Sequence, residues 1–424
     1  MNEILAAYEI MKKIVMDNED LASATKAYFA LHFYTREKRK IIQALVVRAL
    51  MHQFVLENMI NDSFPSISKE NTLLILVALT NTIFVKALED EETIEKTKAI
   101  LPLDANISLS MLEQLLTHAY DANHLVPSYV RVDSTLYKSY QYNIPTWLID
   151  MWNRHYGSNV TQRLLVQIRR KKSPSYRINA LKMETQDFLA REKEDFKESS
   201  TKNTVLYMGK LPMKRLEAYR HGEILPLSEG ASSLIDKVSS RNYDDALIMV
   251  SSFSYFPLAL LTKQQENPHF LLATPTYPDV ISYRRAIELY GANKVEVVES
   301  PLSLLITYVS EKKDQVWVLP PSSSFQYISE RPDFFTHFSK DEFDEILDIQ
   351  RDYLEECATF VKEGGTLIYF IETANNKEGT LQIHRFLDQH DDFVLLEEKQ
   401  MLPLDKKMSM GYFAILKKGE TQHD

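Results

Sequence analysis

A hydroxyl triplet, Ser322-Ser323-Ser324, follows Pro320-Pro321 at the end of an apolar run, Val316-Trp317-Val318-Leu319. The run predicts a strand buried on both faces and broken at the prolines. In an open parallel sheet, ligands bind in the crevice outside the carboxyl ends of the central strands, so residues 320–325 stand where a catalytic loop would be. That loop holds no acid, histidine or cysteine. A serine is a nucleophile only when a neighbouring base takes its proton, so the triplet describes a polar turn as well as a site. A second stretch is basic. Arg163, Arg169, Arg170, Lys171, Lys172, Arg177 and Lys182 occur between Thr161 and Lys182 without one acid, and Tyr176 lies inside the run. Cations with an interleaved aromatic fit a phosphate-backbone surface; a solvated face is the alternative. Cys357 is the only cysteine, which excludes disulfides within the chain and a cysteine metal cluster. Its setting, YLEECATF, predicts a buried helical position, and no metal site is expected.

The elements that would position these residues change character along the chain. Apolar residues recur at helical spacing in Ile4-Leu5-Tyr8-Met11-Val15, Ile42-Leu45-Val46-Leu50-Phe54-Val55 and Leu73-Leu76-Leu79-Ile83, which predicts an all-α bundle. Ser68, and Ser110 with Glu113 three residues on, mark helix starts. Residues 125–143 read as a loop, and a short helix follows with Pro145 at its first turn. Tyr176-Arg177-Ile178-Asn179 reads as a strand. From about Gly222 strands and helices alternate, with strands expected at 246–250, 270–274, 295–298, 316–319, 366–371, 393–396 and 412–416. The clearest helix is 340–361, with Gly364-Gly365 as its stop. This alternation predicts a doubly wound parallel sheet, in which the pair after Phe393 could place one antiparallel strand.

At 424 residues the chain exceeds a single core. Its net charge of -10 excludes a uniformly basic nucleic-acid binder while leaving local patches open. Glu3 and Glu9 stand where a signal peptide would be basic, and the most apolar stretch, 72–88, is interrupted by Thr80-Asn81-Thr82 and Lys86. No membrane span and a cytoplasmic location are therefore expected. Ten glycines are about a third of average usage. A fold that closes its backbone on a nucleotide-like cofactor usually spends several glycines there, and between Ala231 and Glu363 this chain has only Gly291.

The order of parts resembles the Sun (Fmu) ribosomal RNA 5-methylcytosine methyltransferases, whose N-terminal domain is similar to the antitermination factor NusB. The matching stretches are Pro145-Thr146-Trp147-Leu148-Ile149-Asp150-Met151-Trp152, Tyr176-Arg177-Ile178-Asn179-Ala180-Leu181-Lys182, Arg331-Pro332-Asp333, Gln350, Val361-Lys362-Glu363-Gly364-Gly365-Thr366-Leu367-Ile368-Tyr369 and Gly411-Tyr412-Phe413-Ala414-Ile415-Leu416-Lys417-Lys418. The resemblance implies an all-α NusB-like domain over 1–135, a small basic α+β middle domain over 140–215 and a Rossmann-like methyltransferase-type domain over 216–424. It also implies chemistry for which residues are missing. Methylation at carbon five of a flipped cytosine needs a thiolate at carbon six. The family's two cysteine positions are Ser322 and Glu372 here. Its glycine-rich S-adenosylmethionine loop is replaced by Ser251-Ser252-Phe253-Ser254-Tyr255-Phe256-Pro257, and the ribose-binding acid is missing around Ala273-Thr274-Pro275-Thr276.

The expectation is a degenerate, catalytically inactive relative that keeps an RNA surface for ribosomal RNA. That surface would comprise Arg163, Arg169, Arg170, Lys171, Lys172, Tyr176, Arg177, Lys182 and Arg331, with no bound cofactor. One alternative is a working methyltransferase with a diverged site at Asp333 or Glu372 that still binds S-adenosylmethionine. Another is a scaffold whose helical domain binds a protein partner. Tyr176 is expected either to stack a base or to fill the core of its strand.

Overall fold

The computed structural model describes residues 2–102, 107–168, 170, 173–238, 244–263, 269–404 and 410–419. The chain divides into two compact units: 1–169 with 327–340, and 170–326 with 341–424.

The first unit is all-α. Its central helix, Lys69–Thr80, is buried at every position from Leu73 to Thr80, because LLILVALT has no polar face to turn outward. Helices Glu3–Val15 and Arg36–Met51 pack their apolar stripes around it. Ser68 starts the central helix by accepting from Asn71 N at 3.2 Å. The helix expected to start at Ser110 is Leu109–Thr117 and is capped by Ser108, whose hydroxyl accepts from Met111 N. The stretch expected as a loop, 125–143, contains the helix Thr135–Tyr142, which ends where Asn143 turns left-handed at φ 51°. The single pattern from Ile42 to Val55 is broken at His52 into Arg36–Met51 and Gln53–Ser63.

The second unit holds two sheets. The small one contains β1 (Ser175–Ile178), β2 (Phe196–Glu198), β3 (Thr204–Tyr207) and β4 (Ile224–Pro226), in the order β2-β3-β1-β4, with each neighbouring pair antiparallel. The large one contains β5 (Asp245–Val250), β6 (His269–Thr274), β7 (Val295–Glu299), β8 (Lys313–Leu319), β9 (Val361–Ile371), β10 (Phe393–Met401) and β11 (Gly411–Lys418). Its order is β10-β11-β9-β8-β5-β6-β7. β5 to β9 run parallel, and β11 is inserted antiparallel between β9 and β10. This is a mixed seven-stranded, Rossmann-like sheet. Both faces of the central strands are covered: Ile248, Val250, Trp317 and Leu319 pack on one side, Leu247, Met249, Val316 and Val318 on the other.

The long helix is shorter than its periodicity suggested. It ends at Ala358, and β9 begins at Val361, so Gly364 and Gly365 lie inside a strand rather than at a helix stop. They sit where the β8–β9 register shifts. A Cβ on Gly365 would come within 2.9 Å of the carbonyl oxygens of Asp314 and Lys362, so the close approach of β8 requires glycine there.

Candidate functional site

The chain reverses direction across the sheet between β5 and β8, with β6 and β7 on one side and β9 on the other. The crevice outside the carboxyl ends of these two strands is the place where such a sheet binds its ligand. Its walls are the segments following β5, β6, β8 and β9.

After β5, the ladder persists for one residue as Ser251 N donates to Leu319 O at 3.0 Å. The Phe253 ring then lies 4.8 Å from that of Tyr283 and 5.4 Å from that of Tyr255. The Tyr283 hydroxyl accepts from Ser254 N at 2.9 Å and donates to Ser252 O at 3.4 Å. The Tyr255 and Tyr219 hydroxyls meet at 2.6 Å. Here one backbone N–H, that of Ser254, is taken by the Tyr283 hydroxyl, and the rings of Phe253, Tyr255 and Tyr283 pack against one another beside it. After β6, Asp279 N donates to the Thr276 hydroxyl at 3.4 Å, and that hydroxyl donates back to the Asp279 carboxylate at 2.8 Å. The one nearby acid is thus engaged at the start of helix Tyr277–Tyr290. Neither segment offers the glycine-rich turn or the ribose-binding acid that the resemblance implies at these two places.

After β8, Ser322 is half-buried and its hydroxyl accepts from Ser324 N at 3.1 Å, with Ser324 left-handed at φ 57°. Ser323 is buried and points the other way. Its N–H and hydroxyl donate to Glu378 at 2.8 and 2.5 Å. The buried Glu378 carboxylate also accepts from Thr373, Asn375 and Gln350, and Gln350 further donates to Pro321 O at 2.9 Å. Glu378 fixes the loop from below, and nothing in the sequence singled it out, because an acid in a polar turn is unremarkable until its partners are known. At the end of β9, Glu372 is half-buried and accepts from Ser228 at 2.7 Å. Burial pushes its carboxyl up, an effect the Ser228 hydrogen bond only partly offsets. The only thiol, Cys357, is wholly buried in helix Lys340–Ala358, where desolvation raises it far above the ordinary thiol range. Asp333 is buried in the first unit, where its carboxylate accepts from Leu21 N at 3.1 Å.

The residues expected on an RNA face separate. Tyr176 is 3% exposed, with its ring edge-on to those of Phe196 and Tyr207, and it is a core residue of the small sheet. Arg177 is 2% exposed and donates to Asp236 at 2.5 Å and to Ser232 O at 3.2 Å. The Lys182 ammonium donates to His221 O and Leu289 O at 2.6 and 2.7 Å, which closes the end of helix Tyr277–Tyr290. Arg163 and Arg170 are exposed, and Arg331 is exposed with its guanidinium 3.6 Å from Asp333. Arg169, Lys171 and Lys172 lie outside the described residues. Among the described residues, no group of acids, histidines and cysteines is arranged to hold a metal ion, and no helix is long and apolar enough to cross a membrane.

Comparison with known proteins fits this geometry. Residues 283–422 match the family model of the 16S rRNA methyltransferase RsmB/F. A probable ribosomal RNA small subunit methyltransferase B from Bacillus subtilis is 19% identical over 398 residues, which cover 91% of this chain and 87% of that protein. The crystal structure of PH0851 superposes with a TM-score of 0.74 at 16% identity and covers 98% of both chains. A methyltransferase homolog from Pyrococcus horikoshii superposes with a TM-score of 0.58 at 16% identity, over 67% of this chain and 98% of the other. NSun6 from Pyrococcus horikoshii does so with a TM-score of 0.57 at 11% identity, over 65% and 98%. With its seven-stranded sheet and a small-subunit relative similar along most of its length, this chain carries over residues 283–422 the domain of the RsmB/F 16S rRNA methyltransferases.

Proposed function

We propose that this protein binds RNA, ribosomal RNA in the first instance, and does not transfer methyl groups. The observation that carries the reading is the crevice between β5 and β8. Phe253, Tyr255 and Tyr283 occupy the cofactor side, and Ser322 and Glu372 stand at the two positions where the family has thiols. Ser322 has Ser324 rather than a base as its partner, and Glu372 is held by Ser228. Neither can add to carbon six of cytosine as a thiolate does. The family's RNA substrate class supports the retained half of the function.

Isothermal titration with S-adenosylmethionine and S-adenosylhomocysteine tests the reading. No saturable heat is expected. A Kd of about 1 to 100 μM, roughly 5 to 8 kcal/mol, would need an organised pocket and would favour an active enzyme with a diverged site. RNA carrying 5-fluorocytosine should form no covalent adduct, because Cys357 cannot reach solvent as a thiolate. An adduct lost in Cys357→Ser would overturn the reading.

A further inference from the structure

We infer that the RNA-contacting surface of this protein lies on the connection between β3 and β4, centred on Lys210, Lys214, Arg215 and Arg220. The inference rests on the RNA-binding reading and names the site that would carry it.

Both β3 and β4 pair antiparallel with β1, so they run parallel to each other, and the segment between them must cross the small sheet from one end to the other. Its apolar residues hold it to that sheet. Leu216 and Ala218 are buried in the cluster around Tyr176, Ile178 and Phe188, and Met213 packs against it. The backbone is pinned along its course: Met208 N donates to Asp195 O at 2.7 Å, Leu211 N to the Tyr207 hydroxyl at 2.8 Å and Arg215 N to Pro212 O at 2.8 Å. A Cβ on Gly209 would fall 2.4 Å from the Tyr207 hydroxyl, so the turn leaving β3 is built around a glycine.

With Met213, Leu216 and Ala218 turned inward, the cations are left outside, together with Met208 and Leu211. Lys210, Lys214, Arg215 and Arg220 are all exposed, and Glu217 is the one acid between the first and the last. Among the described residues none of the four has an ion-pair partner, in contrast to Arg177 and Lys182, whose donors are consumed within the fold. The start of β1 lies beside the end of β3: Tyr207 N donates to Pro174 O at 2.8 Å, and the Ser173 hydroxyl lies 3.5 Å from the Met208 sulfur. Four exposed cations within one pinned connection, on a chain of net charge -10, are a local basic surface, and an RNA backbone is the partner whose linear charge matches it.

The test is fluorescence anisotropy with a short fluorescein-labelled RNA hairpin, using the full chain at two salt concentrations. The wild type should show a slope of log affinity against log salt of roughly -2 to -4, from about three or four phosphate contacts. The combined variant Lys210→Gln, Lys214→Gln, Arg215→Gln and Arg220→Gln should keep its Tm, since all four side chains are exposed. It should bind at least about tenfold more weakly and lose most of the slope. If the wild type binds and this variant binds equally well, the surface is wrong although the RNA reading stands. If the wild type binds no RNA at any salt, the RNA reading itself falls. If vesicles containing phosphatidylserine bind the wild type under conditions where the hairpin does not, the patch serves a membrane surface and the inference is overturned.

Discussion

Individual side chains in this protein are set by what surrounds them more than by what they are. Glu3 is a first-turn residue of its helix, yet it is buried between two ammonium groups, with Lys38 at 2.6 Å and Lys96 closer still. Burial alone would push its carboxyl up, but the hydrogen bonds from Lys38 and Lys96 outweigh it and bring the value down to about 2. A carboxyl depressed in the folded state contributes stability that is present above the unfolded value of about 4.3 and is lost as pH falls through the folded one. Acid unfolding of the helical unit between about pH 4.5 and 2 is expected, and Glu3→Gln should remove roughly 2 to 3 kcal/mol at pH 7 while flattening that acid limb. Urea titrations at several pH values check both. Glu372 has the opposite sign. Its raised carboxyl opposes folding once pH exceeds the unfolded value, so Glu372→Gln should leave Tm at pH 7 equal or higher. A fall in Tm would show that the charge is needed where it stands.

At the scale of the element, two devices hold the second unit in shape. The loop after β8 hangs on Glu378, which satisfies donors from Ser323, Gln350, Thr373 and Asn375. Glu378→Ala would leave several buried donors without an acceptor, each costing about 1 to 3 kcal/mol, so a loss of roughly 3 kcal/mol or more is expected in chemical denaturation. The small sheet is fastened to helix Tyr277–Tyr290 by Asn179, which donates to Gly222 O and Tyr290 O, and by Lys182. Gly222 is left-handed at φ 68°, and a Cβ there would come within 2.6 Å of Leu289 O. Gly222→Ala should therefore cost about 1 to 3 kcal/mol from the backbone conformation alone, and more from the clash. Lys182→Gln should lower Tm without changing RNA affinity, because its ammonium is held by His221 O and Leu289 O at the end of a helix. Differential scanning calorimetry and the anisotropy titration separate the two effects.

For the molecule as a whole, each unit buries apolar residues of its own: those around Lys69–Thr80 in the helical unit, and those on both faces of the large sheet and around Tyr176 in the small sheet in the second. Unfolding should not be a single two-state event, and Glu3→Gln should move the transition of the helical unit alone. Neither transition should shift with added S-adenosylmethionine, since a ligand stabilises only what binds it. A concentration-dependent rise in Tm would refute the filled-crevice reading.

The sequence by itself determined the periodic elements and the residue types that stand at the positions where chemistry was sought. Strands near 246–250, 270–274 and 316–319 stand within a residue or a few of where they were read, because alternation and β-branched runs are local properties of the chain. The lack of any thiol at Ser322 and Glu372, and of glycines at 251–257, is visible without a structure. The tertiary structure alone decided which charges face water. Tyr176 and Arg177 sit in a basic run, and the antiparallel pairing of β1 between β3 and β4 puts both inside. Lys210 to Arg220 gave no signal, because a short crossover with mixed residues has no period, and its cations became a surface only when Leu216 and Ala218 turned into the core. Glu378 is a polar-turn acid in the sequence and the anchor of a loop in the fold. Burial and partnership depend on contacts between residues far apart in the chain, and periodicity carries no information about those.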